Sequence, residues 1–286
     1  MLEQNGKKAI VEYPFSVTMS VYHKDNAAFF DRALQSITDD QSVKPSEIVL
    51  VCDGPLSDGL DSVIAKYQSK FPSIKLIRLS ENKGLGNALR IALENSSYEL
   101  IARMDSDDVS MPNRFEQQIS FIKEHPEIDI VGGDITEFIG DENNIVGKRA
   151  VPINDSEIKE YMKKRCAFNH VSVMYKKTAV QAAGGYLDWF WNEDYYLWIR
   201  MQHNKATFAN TGTVLVNVRV GEDMYQRRGG MKYFMSEYGL QKYMHNNGMI
   251  GLTTFLSNVT KRVVIQILLP NSIRAWVFKR FAREER

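Results

Sequence analysis

An α/β fold organised around a parallel sheet is what this 286-residue chain predicts, and two observations predict it. Apolar runs of strand length alternate with stretches of helical periodicity as far as residue 104, the pattern of right-handed β-α crossovers. Polar residues stand where each run ends, at Tyr22, Asp53, Asn82 and Asp105. In open parallel sheets those carboxyl ends are where ligands bind.

The elements follow in order. Phe15-Ser16-Val17-Thr18-Met19-Ser20-Val21 reads as the first strand, and apolar spacing predicts a helix over 25–37. Glu47-Ile48-Val49-Leu50-Val51-Cys52 is nearly continuous in apolar residues, as a strand buried on both faces must be, and it stops at the turn Asp53-Gly54-Pro55. A helix over 57–70, a strand over 74–79, a helix over 86–95 and a strand over 100–104 continue the alternation. Beyond Asp108 the regularity ends. The pattern there predicts a helix over 114–124, two short strands over 128–132 and 135–139, a helix over 156–164 and a strand over 171–175. Aromatic residues then crowd into 186–198 around the acid pair Glu193-Asp194, and acids in an apolar setting are costly unless paired, solvated or used.

Composition sets bounds on function. Apolar content of 44% and charged content of 25% suit an ordinary globular chain, and a net charge of +1 gives no reason to expect nucleic acid. The two cysteines, Cys52 and Cys166, are too few for a disulfide framework and lack the spacing of a zinc site, which fits a reducing compartment. No stretch approaches the roughly 20 apolar residues that span a bilayer, and the first residues lack the apolar centre of a signal peptide. Cytoplasmic residence is the expectation.

The strand over 100–104 empties into Asp105-Ser106-Asp107-Asp108, three carboxylates within four residues. Anions that close repel one another unless a cation sits among them, and oxygen-rich clusters suit Mg²⁺ or Mn²⁺ completed by waters and phosphate oxygens. A solvated acidic turn capping the next helix is the plainer alternative. The ordered set of Val21-Tyr22, Cys52-Asp53-Gly54, Asn82-Lys83-Gly84-Leu85-Gly86-Asn87, Arg103-Met104-Asp105-Ser106-Asp107-Asp108 and Glu193-Asp194 resembles the inverting family-2 glycosyltransferases of GT-A fold, particularly bacterial enzymes that extend surface polysaccharides.

The resemblance runs from about residue 15 to 230 and implies roles position by position. Asp53 would accept the uracil N3–H, with Val21 and Tyr22 lining the base pocket. Asp105 and Ser106 would meet the nucleoside, Asp107 with Asp105 would hold Mn²⁺ or Mg²⁺, and Asp108 would support them or cap the helix. Asn82, Lys83 and Arg103 are implied contacts of the nucleotide, His170 of the diphosphate or acceptor cleft, and Arg227 and Arg228 of a basic loop closing over UDP. Asp194 would be the general base, with Glu193 beside it. Two positions depart from the family: Cys52 stands where many relatives have a second acid, and Leu89-Arg90 where many have Arg-Asn.

These implications define an expected enzyme, a metal-dependent, inverting transferase moving a hexose or N-acetylhexosamine from a UDP-sugar to a polyprenyl-diphosphate-linked saccharide in O-antigen or capsule assembly. Inversion of an α-linked donor would make a β-linkage. A nucleotidyltransferase or a non-catalytic nucleotide-sugar-binding protein is the alternative. The first would want a glycine-rich loop after the first strand, where Tyr22-His23-Lys24-Asp25 stands. A GT-A domain is expected over 1–252, with a nucleotide-binding half at 15–110 and an acceptor half at 111–230. The remainder, 253–286, reads as basic amphipathic helices. From residue 261 onward it carries seven basic and two acidic residues interleaved with Ile273, Trp276, Val277 and Phe278, a composition suited to the inner-membrane surface.

Overall fold

The computed structural model describes residues 13–221 and 229–269. Its strands are β1 (Phe15–Val21), β2 (Glu47–Cys52), β3 (Ile74–Arg78), β4 (Leu100–Arg103), β5 (Val109–Ser110), β6 (Ile130–Phe138), β7 (Ile145–Arg149), β8 (Met174–Lys176) and β9 (Phe208–Arg219). The helices are α1 (Ala27–Ile37), α2 (Asp58–Lys70), α3 (Leu85–Asn95), α4 (Arg114–Glu124), α5 (Asp155–Met162), α6 (Lys177–Ala182), α7 (Glu193–His203), α8 (Met231–Asn246) and α9 (Leu252–Arg262). The strands form one sheet in the order β3-β2-β1-β4-β8-β6-β9-β5, with β7 paired to β6.

The first half is the predicted parallel block. β1 pairs in parallel with β2 and β4, and β2 with β3, in the register Val17 to Ile48 and Val17 to Ala102. Every residue of β2 is buried, as its unbroken apolar run requires. One core cluster packs β1 and β2 against α1, α2 and α4, and a second gathers Leu89 of α3, Trp198 of α7 and Leu240 of α8 around Phe168 and Tyr186 of the intervening loops. Helix starts are set locally: the Asn26 side chain accepts the Ala28 and Phe29 amides at 2.9 and 3.2 Å, and Ser57 accepts that of Leu60.

The second half departs from the prediction. The two short strands over 128–132 and 135–139 are a single strand, β6, running through the Gly132-Gly133 pair. A side chain at either glycine would strike Asn210 or Leu215 within 2.6 Å, so the pair admits close packing of β9 where it reads as a strand end. The strand expected over 171–175 begins with a 3₁₀ turn, His170–Ser172, and only Met174–Lys176 pairs, antiparallel to β4 and β6. β5, β7 and β9 extend the sheet beyond the prediction.

The start of the expected amphipathic tail is docked on the core. Asn258 of α9 donates to the Lys163 carbonyl and to Gln241 Oε1 at 2.8 Å each, and Arg262 pairs with Glu237 and donates to the Lys164 carbonyl. The remainder of that tail from Pro270 lies outside the described residues, as do Arg227 and Arg228. Among the described residues no helix is long and apolar enough to cross a membrane.

Candidate active site

The site is assembled where β1, β2 and β4 end and where α3 and α7 begin. Asp53 follows β2, and burial leaves it 4% exposed. Its carboxylate accepts the backbone amides of Lys83 at 2.7 Å and Gly84 at 3.0 Å, and its carbonyl accepts Asn82 Nδ2 at 3.3 Å. A carboxylate has about four lone-pair sites, so beyond these two amides accepting capacity remains for a ligand. The loops touch closely enough that a Cβ on Gly54, at φ +92°, would lie 2.9 Å from the Asn82 nitrogen. Asn82 therefore belongs to the scaffold around Asp53. Lys83 holds its amine at the surface, 3.4 Å from Glu81. Arg90, from the departing Leu89-Arg90 pair, is engaged on α3 by Glu94 and Asn87.

Val21 is buried at the end of β1 and Tyr22 is 37% exposed beside it, with its ring against His23. Asp25 ties this turn to the acid cluster: its Oδ2 accepts the Tyr22 amide at 3.1 Å and the Ser106 hydroxyl at 2.8 Å. The sequence signal for Asp25 is absorbed by its position before a helix, so its part in the site emerges only in three dimensions. Burial raises its carboxyl, against the two hydrogen bonds that lower it, and Asp105 adds to the rise.

The acid cluster divides its labour. Asp105 forms an ion pair with Arg103, which is 2% exposed. Burial opposes the Arg103 charge, yet Asp105 overrides it and holds the guanidinium above its ordinary value. Nε and Nη1 of Arg103 are buried without a partner among the described residues, an arrangement that calls for an acceptor. Asp107 keeps its side chain at the solvent edge. The crowding around it, followed by the charges of Asp105 and Asp25, pushes its carboxyl up to about 6. Asp108 is neither a helix cap nor solvated: it is 3% exposed and accepts the Arg219 amide at 2.8 Å, joining the cluster to β9. Burial and then Asp107 and Asp105 raise it well above a normal carboxyl.

Among the described residues no three His, Cys, Asp or Glu side chains form a ready metal cage. Asp107 and Asp105 fit a different sort of divalent site, in which one or two carboxylates suffice and phosphate oxygens and water complete the sphere. Their mutual repulsion, read in the raised Asp107, is what a cation would relieve.

Beneath the cluster lies Arg114, fully buried and absent from the sequence reading as a site residue. Its Nη2 donates to the Arg103 and Val173 carbonyls at 2.8 and 3.2 Å, and Nε donates to Gln118 Oε1 at 3.0 Å. Burial and the Arg103 charge lower its pKa to about 9.

His170 sits in the 3₁₀ turn with Nε2 2.9 Å from the Tyr186 hydroxyl. Burial and the Arg103 charge hold it well below its usual pKa, so it is neutral. Tyr186 in turn hydrogen-bonds Tyr175. His170 is thus part of a buried neutral network behind Arg103.

Glu193 and Asp194 occupy the first turn of α7, both half-buried. Glu193 packs its Cβ 3.6 Å from where a Cβ on Gly86 would stand, at the start of α3. Burial and then the Asp194 charge push its carboxyl up to about 7, with Arg103 and Asp105 near enough to be felt. Asp194 lies on another side, with Oδ2 3.9 Å from Cys166 Sγ, and its charge adds to burial in raising that thiol to about 12. An acid able to exchange protons near neutrality, a second acid beside it and a buried cation short of acceptors can together bind an anion and accept a proton.

The family profile "Glycosyl transferase family 2" matches residues 16–183. An uncharacterized glycosyltransferase of Haemophilus influenzae is 40% identical over 270 residues, covering 94% of this chain and 99% of its own. The amylovoran biosynthesis glycosyltransferase AmsE of Erwinia amylovora is 35% identical over 87% of this chain and 94% of its own. The Escherichia coli UDP-Gal:alpha-D-GlcNAc-diphosphoundecaprenol beta-1,3-galactosyltransferase is 35% identical over 94% of this chain and 96% of its own. Among solved structures, S. aureus TarS 1–349 in complex with UDP-GlcNAc superposes with a TM-score of 0.65 at 17% identity, covering 88% of this chain and 72% of that one. The mannosyltransferase PcManGT from Pyrobaculum calidifontis, in complex with GDP-Man and Mn2+, gives 0.59 at 15% identity over 92% and 72%. At these identities the two structures speak for the fold.

Proposed function

The chain belongs to glycosyl transferase family 2 and is a glycosyltransferase of GT-A fold, and from that membership we propose that it transfers one hexose or N-acetylhexosamine from a UDP-sugar to a polyprenyl-diphosphate-linked saccharide, with inversion. The lipid-linked acceptor and the β-linkage are supported by the activity named for the E. coli relative, a UDP-Gal:alpha-D-GlcNAc-diphosphoundecaprenol beta-1,3-galactosyltransferase. Surface-polysaccharide assembly is supported by the amylovoran relative. Work on such an acceptor suits a protein at the cytoplasmic face of the inner membrane.

The observation that carries the reading is the meeting of the α7 acid pair with the Arg103–Asp105 ion pair at the strand ends. The Val21-Tyr22 and Asp53 ends take the uridine, and the unpartnered Nε and Nη1 of Arg103 supply donors for diphosphate oxygens. Asp107 with Asp105 would hold Mn²⁺ or Mg²⁺, which when bound would offset the charge developing on the departing UDP. Asp194 takes the proton from the acceptor hydroxyl, on the face of the sugar opposite the leaving group, as single-displacement inversion requires. Glu193, its carboxyl raised to about 7, keeps part of its proton near neutrality and can donate toward the donor side of the cleft.

The test is a panel of UDP-sugars with GlcNAc-diphosphate-alkyl acceptor, following UDP release and reading the product linkage by NMR. Asp194→Asn should lower kcat by about 10²–10⁴-fold while UDP still binds. Near wild-type turnover in that variant, with Glu193→Gln inactive, would reverse the two roles.

A further inference from the structure

Immediately before the acid pair the chain builds an exposed aromatic surface that the donor side of the reaction does not use. Trp191 stands at φ 56°, one of two non-glycine residues with positive φ among the described residues, and it is 49% exposed. A bulky residue in that region costs about 1–3 kcal/mol and persists only where its surroundings over-determine it. Here they do. Ser236 on α8 holds the backbone from beneath: its hydroxyl donates to the Phe190 carbonyl at 2.7 Å and accepts Asn192 Nδ2 at 3.0 Å, and its carbonyl accepts Trp189 Nε1 at 3.2 Å. Trp189 is wedged so tightly over α8 that a Cβ on Gly239 would meet its ring at 2.7 Å. Trp189 is thus packed as an anchor, Phe190 is left half-buried and Trp191 is turned outward.

The two rings are stacked, Phe190 backing the exposed Trp191. The Phe190 and Trp191 rings lie 5.1 Å apart at 10°, with the Lys232 amine 4.1 Å from the Phe190 centroid and Leu187, 42% exposed, in the same segment. The location is specific as well. The Leu187 carbonyl and the Glu193 Cβ both border the first turn of α3, at 3.4 and 3.6 Å from the position of a Cβ on Gly86. Residues 187–193 therefore run along the rim of the donor cleft and end in the acid pair.

We propose that Phe190 and Trp191 form the acceptor subsite, a stacking platform for the pyranose ring whose hydroxyl is deprotonated by Asp194. The occupant follows from the chemistry of the surface. A pyranose presents an apolar face of C–H bonds, slightly positive, to the negative face of an aromatic ring, and keeps its hydroxyl rim in water. The half-exposed Trp191 ring, backed by Phe190, meets both demands. A cation at its margin suits a sugar that carries a phosphate, and the uridine is already provided for at the far end of the cleft. The strained backbone at Trp191 is then the means by which a ring is held at the rim without being buried.

The proposal rests on the assignment of Asp194 as base, and the test separates the two. Trp191→Ala, Phe190→Ala and Trp191→Phe are assayed with GlcNAc-diphosphate-alkyl acceptor and the active UDP-sugar, recording the KM of each substrate and UDP release without acceptor. Trp191→Ala should raise the acceptor KM by about tenfold, the worth of one aromatic stack, with donor KM and acceptor-free UDP release unchanged. Trp191→Phe should recover most of the loss. An acceptor KM unmoved in both alanine variants overturns the platform, as does a parallel fall in donor binding and acceptor-free release, which would mark a merely structural loop. Loss of binding to anionic vesicles with an unchanged acceptor KM would assign the rings to the membrane and also overturn it. If Asp194→Asn turns over normally, the catalytic reading fails whatever the platform does. If Asp194→Asn is inactive while the acceptor KM of Trp191→Ala is normal, only the platform fails.

Discussion

Replacing Arg114 tests how the cluster is held in place. The guanidinium is 0% exposed and spends its donors on the Arg103 and Val173 carbonyls, Gln118 and the Met104 sulfur. Arg114→Met keeps much of the length and loses every one of these bonds. Hydrogen bonds from a charged donor are each worth about 1.5–3 kcal/mol net, and stranding the Arg103 and Val173 carbonyls in the interior adds their desolvation. Offsetting this, a buried cation whose pKa is lowered to about 9 is itself poorly accommodated, and removing it returns part of the cost. The balance is a loss of about 3 kcal/mol, a large share of the roughly 5–15 kcal/mol that hold a domain together. Urea unfolding should show a lower midpoint at unchanged slope. Because the Arg103 carbonyl fixes the end of β4 just before Asp105, kcat should fall more than the donor KM rises. A midpoint within about 1 kcal/mol of wild type would refute the account, since it would mean the carbonyls find water or other donors.

Other predictions follow from the same geometry. Excess EDTA should abolish transfer and Mn²⁺ or Mg²⁺ should restore it, and Asp107→Ala should cost about 10²-fold or more in kcat; full activity in chelator would remove the metal from the reaction. Glu193 rises from 4.5 to about 7 on folding, so between those values the unfolded chain releases a proton that the folded chain keeps, and stability falls as pH rises through that window. Without metal or UDP, Glu193→Gln should therefore gain on wild type by about 1–2 kcal/mol between pH 5 and 8, the half-buried position discounting the full shift, and parallel melting curves at both pH values would contradict it. Removing residues 270–286, outside the described residues, should weaken binding to anionic liposomes while sparing the α9 contacts of Asn258 and Arg262, and unchanged binding would remove the tail from the membrane.

The parallel half was legible because its information is local. β1 and β2 match their predicted limits, and each is set by an apolar run carried within its own segment. The second half was not, because its strands are specified by partners. β9 is buried continuously at 208–210 and again at 215–217 around an exposed middle, with register shifts against β6 near Gly132 and Asp134, so no alternation runs through it. β5 has two residues and exists only through its pairing with β9. The same division holds in the site. Asp53, Asp105, Asp107 and the acid pair announce themselves by sitting at strand or helix ends. Asp25, Arg114 and Arg219 do not, since an acid before a helix, an arginine inside one and an arginine ending a strand each have an ordinary local explanation.

The proposed separation of roles within Glu193-Asp194 rests on where α7 begins. Adjacent residues on a helix project about 100° apart, so two neighbouring acids in a first turn cannot serve the same atom. Glu193 points at the start of α3, where Gly86 leaves it room and Arg103 and Asp105 are felt, and burial there keeps it protonated toward neutrality. Asp194 points instead to Cys166, the residue that Arg149 binds through its carbonyl at 2.7 Å and so ties to β7. On the proposed assignment, one helix start thereby turns Glu193 toward the donor side and Asp194 toward the acceptor side. The aromatic rim of Phe190 and Trp191 leads into that same turn, so a sugar stacked there would arrive on the Asp194 side of the cleft. A shift of α7 by one residue would exchange the two acids, and that is why the anchoring of the preceding segment through Ser236 matters to the chemistry.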